Sequence, residues 1–133
     1  MKPNEADELL ALTRQLLECI AAGDWAAYEQ LCDPQLTAFE PEAMGQLVEG
    51  LEFHRFYFEQ LPDKGPSQVT MASPSVRILG DAAVVAYVRL TQSIARDGQP
   101  VTSCFEETRV WRRAAGGWRL MHFHRSKPTS SAT

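Results

Sequence analysis

Residues 82–95 read Ala82-Ala83-Val84-Val85-Ala86-Tyr87-Val88-Arg89-Leu90-Thr91-Gln92-Ser93-Ile94-Ala95, bracketed by Gly80-Asp81 and Asp97-Gly98. Branched and aromatic side chains between two hairpin-type dipeptides are the signature of a β-strand. Three further runs have the same form: Gln68–Leu79, Val101–Arg113 and Trp118–Ser126, the last two separated by Gly116-Gly117. Spacers this short join consecutive strands as antiparallel neighbours, so a meander is predicted for the C-terminal half. Pro74 lacks the N–H that a central strand needs. Its run is predicted to be interrupted or to lie at a sheet edge.

Upstream of Ser67 the period is helical. Leu9, Leu12, Leu16 and Ile20 recur at three- and four-residue steps, which predicts a helix from Asn4 to Ala22. Asn4 is placed to cap it, Asp7 suits the positive end of its dipole, and Gly23 stops it. Asp24 caps a second short helix bearing Trp25, Tyr28 and Leu31, which ends before Asp33-Pro34. Helices joined this tightly should pack as a hairpin. A short strand is predicted over Leu36 to Glu40, a turn at Glu40-Pro41-Glu42, and a further helical stretch from Val48 to Leu61. Leu51, His54, Phe58 and Leu61 share one face of that stretch, while Glu52, Arg55 and Glu59 can pair on its wet side. Pro62-Asp63-Lys64-Gly65-Pro66 reads as a loop, and Lys127–Thr133 as a frayed tail. The expected architecture is one α+β domain over residues 1–126, with N-terminal helices packed on a strongly curved antiparallel sheet.

Composition narrows the function classes. With 44% apolar and 23% charged residues the 133-residue chain is neither disordered nor collagen-like. A net charge of −4 argues against a nucleic-acid binder. The charge is unevenly spread: residues 1–66 hold four basic and thirteen acidic groups, residues 67–133 nine and four. The halves therefore attract each other, or the basic half attracts an anion. Cys19, Cys32 and Cys104 are odd in number without metal-type spacing, so neither a disulfide framework nor a zinc site is expected. No signal peptide is read at the acid-rich start, and no apolar run reaches the roughly 18–20 residues needed to span a bilayer. The expectation is a reduced, cytoplasmic protein without membrane partner or cofactor.

The strand alternation carries the most informative feature. Arg89 shares a face with Val85, Tyr87 and Thr91; Arg109 with Phe105, Glu107 and Trp111; Arg125 with Met121 and Phe123. Three adjacent strands thus each put one arginine on a largely apolar face. An unpaired guanidinium taken out of water costs several kcal/mol, so three together need anions. Two sources remain open. Glu107, helped by acids on the helices, neutralises the cluster from within, or the cluster receives an external carboxylate, which the planar guanidinium fork binds bidentately. His54, on the apolar side of its helix, is the other titratable group expected to face this sheet. His122 and His124 lie two apart on one strand face, but no third ligand accompanies them, so metal is not expected. No nucleophile elbow or paired acid/base carboxylates are evident.

Cys32-Asp33-Pro34, Thr37-Ala38-Phe39-Glu40-Pro41-Glu42-Ala43, Leu47-Val48-Glu49-Gly50-Leu51, Phe53-His54-Arg55-Phe56-Tyr57-Phe58-Glu59, Glu106-Glu107-Thr108-Arg109-Val110-Trp111 and His122-Phe123-His124-Arg125-Ser126 closely resemble the association (hub) domain of calcium/calmodulin-dependent protein kinase II. The resemblance runs over roughly residues 5 to 126. It implies the nuclear-transport-factor-2-like cone, assembly into dimers or larger rings through the outer sheet, and a pocket that accepts small carboxylates. Arg89, Arg109, Arg125 and His54 match its lining, with Tyr87 and Glu107 beside them. Kinase activity and calmodulin binding are not implied, because no kinase motif is present; the expected protein is a free-standing, bacterial relative. The family's tryptophan after the helix falls here at about Pro62. The expected function is a non-catalytic oligomerising domain with an arginine-lined anion pocket. The alternative is a small-molecule enzyme of isomerase, dehydratase or cyclase type, using the same pocket with His54 as general base.

Overall fold

The Asn4 side chain accepts a hydrogen bond from the Asp7 N–H at 2.8 Å and opens α1 (Glu5–Ala22), which Gly23 ends at φ 70° with its N–H on the last-turn carbonyls. Asp24 caps α2 (Trp25–Leu31) in the same way, accepting from Ala27 N–H. The remaining elements are β1 (Cys32–Phe39), a 3-10 turn over Pro41–Ala43, β2 (Val48–Glu49), α3 (Glu52–Gln60), β3 (Ser67–Leu79), β4 (Ala82–Ile94), β5 (Pro100–Ala114) and β6 (Gly117–Ser126). The structure, a computed structural model, describes residues 4–61 and 65–128. The loop reading at Pro62-Asp63-Lys64 and most of the tail reading therefore lie outside the described residues.

The six strands form one sheet in the order β2-β1-β6-β5-β4-β3. β3 to β6 are the expected antiparallel meander, but β1 pairs with β6 in parallel, so the sheet is mixed rather than wholly antiparallel. The chain path permits the parallel pair, because the whole meander separates β1 from β6 and supplies the long connection that parallel strands need. A second difference lies at Val48–Leu61. Val48 and Glu49 pair with Ala38 and Thr37, and Gly50 turns the chain at φ 80°, so the helix starts only at Glu52.

Bulges in β3 and β6 re-phase the meander. Between Ala72 and Ser75 β3 carries one extra residue at Ser73-Pro74, so Val69 and Met71 precede the bulge and Val76 follows it on the same half-buried face. Pro74 thus sits at a bulge and on an edge strand together, as its missing N–H requires. In β6 Met121 is the extra residue, because Trp111 pairs with Leu120 while Val110 pairs with His122. Leu120, fully buried, therefore takes the inward place that strict alternation assigned to Met121; Phe123 and Arg125 remain inward.

The inner face of the sheet meets the helices. Leu9, Leu16 and Leu17 of α1, Leu36 and Ala38 of β1, Ala83 and Val85 of β4, Trp111 of β5 and Leu120 of β6 are at most 1% exposed. Each large apolar side chain buried this way contributes roughly 1.5–3 kcal/mol. The charge asymmetry is satisfied across the halves at the same time. Arg112 pairs with Asp33, Arg113 with Glu5, and Arg125 with Glu40 and Glu42.

Candidate functional site

Cross-strand register builds the site. Tyr87, Glu107 and Arg125 stand in one row across β4, β5 and β6, and Val85, Arg109 and Phe123 form the next. Arg89, opposite Phe105, completes the group on the other side. Because β1 runs parallel to β6 with Phe39 beside His124, the following residue, Glu40, reaches the end of the row next to Arg125. The 3-10 turn then brings Glu42 in, its carboxylate 2.7 Å from Arg125 Nη1.

Glu107 is the hub of the charge network. It is 3% exposed and accepts the Tyr87 hydroxyl at 2.6 Å and Arg109 Nη2 at 3.0 Å through one oxygen. Its other oxygen lies 3.1 Å from Arg89 Nε and 3.5 Å from Arg125 Nε. Burial opposes the charge on this carboxyl, yet Arg109 and Arg89 outweigh it and hold the pKa below the ordinary value. Tyr87 is pushed up to about 12, first by burial and then by Glu107, against the pull of Arg109. Burial also opposes the Arg109 charge, but Tyr87 and Glu107 more than compensate and raise its pKa. Arg89 goes the other way: burial lowers its pKa, Glu107 only partly offsets this, and Arg109 and Arg125 add to the lowering. The aromatic rings help to hold the charges, with the Arg109 guanidinium 4.4 Å from the Phe123 centroid and that of Arg125 4.2 Å from Phe105.

His54 reaches the same place from α3. It is 6% exposed, packed among Tyr28, Phe53 and Phe123, with Nε2 2.5 Å from Glu40 Oε2. A carboxylate only accepts, so with Glu40 ionised the histidine donates from Nε2, and a neutral ring keeps its lone pair at Nδ1. That nitrogen is buried and has no partner among the described residues.

A cavity of about 160 Å³ is walled by these groups, including His54, Arg89, Arg109, Arg125, Glu40 and Glu42, with Tyr28, Tyr57 and Phe58 as its aromatic side. Sequence reasoning placed His54, Arg89, Tyr87, Glu107, Arg109 and Arg125, and the structure brings all six together. It missed Glu40 and Glu42 as partners of Arg125 and His54, expecting acids from the helices instead. The two acids bracketing Pro41 were the available signal. What hid them was the parallel β1–β6 pairing, which no local pattern encodes. His122 lies on the opposite face of β6, its Nδ1 2.7 Å from the Thr37 hydroxyl.

The family model described as the calcium/calmodulin dependent protein kinase II association domain matches residues 5–129. Among solved structures, the CaMKII hub homology domain of C. reinhardtii is 51% identical, with a TM-score of 0.89 over 95% of this chain and 100% of that one. The association domain of C. elegans CaMKII is 45% identical, with a TM-score of 0.88 over 92% and 95% of the two chains. A nuclear transport factor 2-like superfamily protein from Salmonella enterica, 22% identical with a TM-score of 0.78 over 95% and 92%, shares the fold. An α+β domain of helices on a six-stranded sheet with this inward arginine row, matched along nearly its whole length, belongs to the calcium/calmodulin-dependent protein kinase II association domain family.

Proposed function

We propose that this protein is a self-assembling association domain whose interior cavity receives a small carboxylate or similar anion. One observation carries the anion reading: the balance of buried charge around the cavity. Arg89, Arg109 and Arg125 face Glu107 and Glu40, all with side chains no more than 11% exposed, whereas the third acid, Glu42, is 38% exposed at the rim. Three guanidiniums thus share two buried carboxylates, and Glu40 also serves His54. Among the described residues, Arg109 Nη1 is buried with no acceptor, while Arg89 Nε and Arg125 Nε have only Glu107 Oε2, at 3.1 and 3.5 Å and without hydrogen-bond geometry. Buried donors of this kind are costly unless something accepts from them. A small acid would supply the missing charge and the missing acceptors together.

Self-assembly is supported by family membership and by the outer sheet face. Val84, Val88 and Leu90 of β4 and Val110 of β5 lie there half-buried, with Phe39 39% exposed beside His122 and His124. An apolar sheet face of this kind is stabilised by covering it with a second copy.

A thermal-shift screen of short carboxylates tests the pocket. Wild-type protein should melt higher with a bound acid, by RT ln(1 + [L]/Kd), about 2.7 kcal/mol at a hundredfold excess. Arg109→Met should abolish the shift. No shift with any acid in the wild type would overturn the anion reading. Light scattering tests assembly, and a mass of 14.9 kDa at micromolar concentration would overturn it.

A second reading has one observation in its favour. The Glu40–His54 pair with its free Nδ1 has the form of an oriented general base beside a cationic pocket. A bound acid that exchanges its α-protons with solvent deuterium in the wild type, but not in His54→Gln, would favour an enzyme. Absence of exchange in both would favour the binding module.

A further inference from the structure

The arginine cavity adjoins a second one. An outer chamber of about 560 Å³ shares Ile20, Leu61 and Arg89 with it, so Arg89 stands at the junction of the two. The chamber is two-sided. The C-terminal half of α1 gives it a hydrocarbon wall through Leu17, Ile20 and Ala21, while the sheet gives it Ser67, Thr91, Ser93 and Ser103 alongside Val69 and Ile94. Register makes these hydroxyl residues contiguous. Ser67 pairs with Ser93 and Thr91 with Ser103, in the rows next to the Arg89–Phe105 pair.

That patch departs from the rest of the inner face, where Ala83, Val85 and Trp111 pack tightly on the helices. A face serving only to bury α1 would carry branched apolar residues at native density. Small hydroxylated ones leave space and present donors and acceptors into it. Size divides the labour. The inner 160 Å³ equals about five waters at roughly 30 Å³ each, room for a carboxylate and two or three carbons. The outer 560 Å³ falls within the roughly 300–1,000 Å³ typical of small-molecule sites.

We propose that the site is built for an elongated carboxylic acid rather than a minimal one. Its carboxylate sits among Arg89, Arg109 and Arg125. Its tail runs past Arg89 into the outer chamber, with a hydrocarbon edge against α1 and a hydrogen-bonding edge against the serine–threonine patch. The proposal rests on the anion reading and adds the class of ligand to it.

Calorimetric titration with acetate, butyrate, octanoate and N-pentanoylglycine, whose chain has as many atoms as octanoate with an amide inside it, tests the tail. A fully buried methylene tightens binding about fourfold. Octanoate should therefore bind at least about tenfold tighter than butyrate, and N-pentanoylglycine at least as tightly as octanoate despite its greater polarity. Ser103→Leu, which fills the outer chamber, should erase the gain with length and leave butyrate unchanged. Ser67→Leu, at an exposed strand start where folding is not at risk, should act in the same direction. Thr91→Val should weaken the amide acid alone. If butyrate binds and octanoate binds no tighter, or the filled variants treat long and short acids alike, the elongated-acid proposal fails while the anion site stands. If no acid of any length binds, the anion reading fails and takes the proposal with it.

Discussion

The inner and outer faces of β4, β5 and β6 differ by one residue of register and by the kind of incompleteness they carry. Inward, Arg89, Arg109 and Arg125 form a nearly dry network around Glu107, with Glu40 and Glu42 adding carboxylates at the Arg125 end. Outward, the intervening residues Val84, Val88, Leu90 and Val110 lie half-buried among Glu106, Thr108, His122 and His124. The inner face is the one proposed to take an anion, and the outer face the one proposed to take a second copy. Sheet alternation lets a single set of strands serve both, because side chains at i and i+1 answer to different partners. A change on one face should therefore leave the other face's property largely intact, and that separability is what mutation can break.

The largest effect is expected from Glu107→Gln. It leaves Arg89, Arg109 and Arg125 side by side with no carboxylate at the centre of the row. Removing one partner from a buried ionic network costs about 3–5 kcal/mol. For a domain of this size the melting temperature should fall by on the order of 10 °C or more. Acid should produce the same loss in the wild type. Glu107 has a folded-state pKa below its unfolded value, so its contribution is present above about pH 4.3 and disappears as pH falls through the folded pKa. A Glu107→Gln protein melting within two degrees of wild type would mean that the inner charges are not coupled.

Val84→Glu attacks the other face. Arg77 lies directly opposite on β3, so the new carboxylate has a partner in the isolated protomer, and Val110 on the other side loses only one neighbour. Folding should survive, while a charge placed in the covered interface should reduce the assembly to a smaller species in sedimentation velocity. Carboxylate binding should persist. Loss of binding together with assembly would show that the two faces are one unit.

How much of this was legible follows from which interactions are local. The caps at Asn4 and Asp24, the glycine stop at Gly23 and the four meander strands are written in neighbouring residues, and all were read correctly. The inward arginines were legible for the same reason, since alternation within one strand places them. Where a bulge intervened, alternation misassigned one position: Met121 was expected where Leu120 packs. The helix expected from Val48 fails at Gly50, because Val48 and Glu49 find a strand partner in β1 that no helical periodicity reveals. Glu40 and Glu42 were invisible as site residues for a related reason. They meet Arg125 only after the chain has closed a parallel pair some 85 residues apart in sequence.

Arg109→Met separates binding from stability on the inner face. Arg109 is 1% exposed, yet its loss leaves Glu107 with Tyr87, Arg89 and Arg125, so no carboxylate is orphaned. The cost should be that of two charged hydrogen bonds, to Glu107 and to the Tyr87 hydroxyl, and the contact with Phe123, on the order of 3 kcal/mol and short of Glu107→Gln. Denaturant melts of the two variants side by side should rank them in that order. Equal losses would mean that Arg109, rather than Glu107, is the centre of the network.

The smallest effect belongs to the outer histidines. Burial lowers the pKa of His122, and the neighbouring His124 lowers it further, so the neutral ring is favoured on this face. Its surroundings are Thr37 at 2.7 Å, the edge of Phe39, Val110 opposite on β5, and Glu49 beyond Thr37 in the same row. A histidine with a depressed folded-state pKa contributes stability above its unfolded value, near 6.5, that is lost as pH falls through the folded pKa. Covering the face with a second copy desolvates the ring further and deepens the depression. Association should therefore weaken between pH 7.5 and 5.5, by up to about tenfold in dissociation constant for each full unit of added shift. Sedimentation equilibrium at the two pH values measures it. His122→Gln keeps a polar partner for Thr37 without titrating, and it should flatten the pH dependence while leaving carboxylate binding on the inner face unchanged. An unaltered pH dependence in that variant would move the effect off the sheet, and with it the reason for placing the interface there.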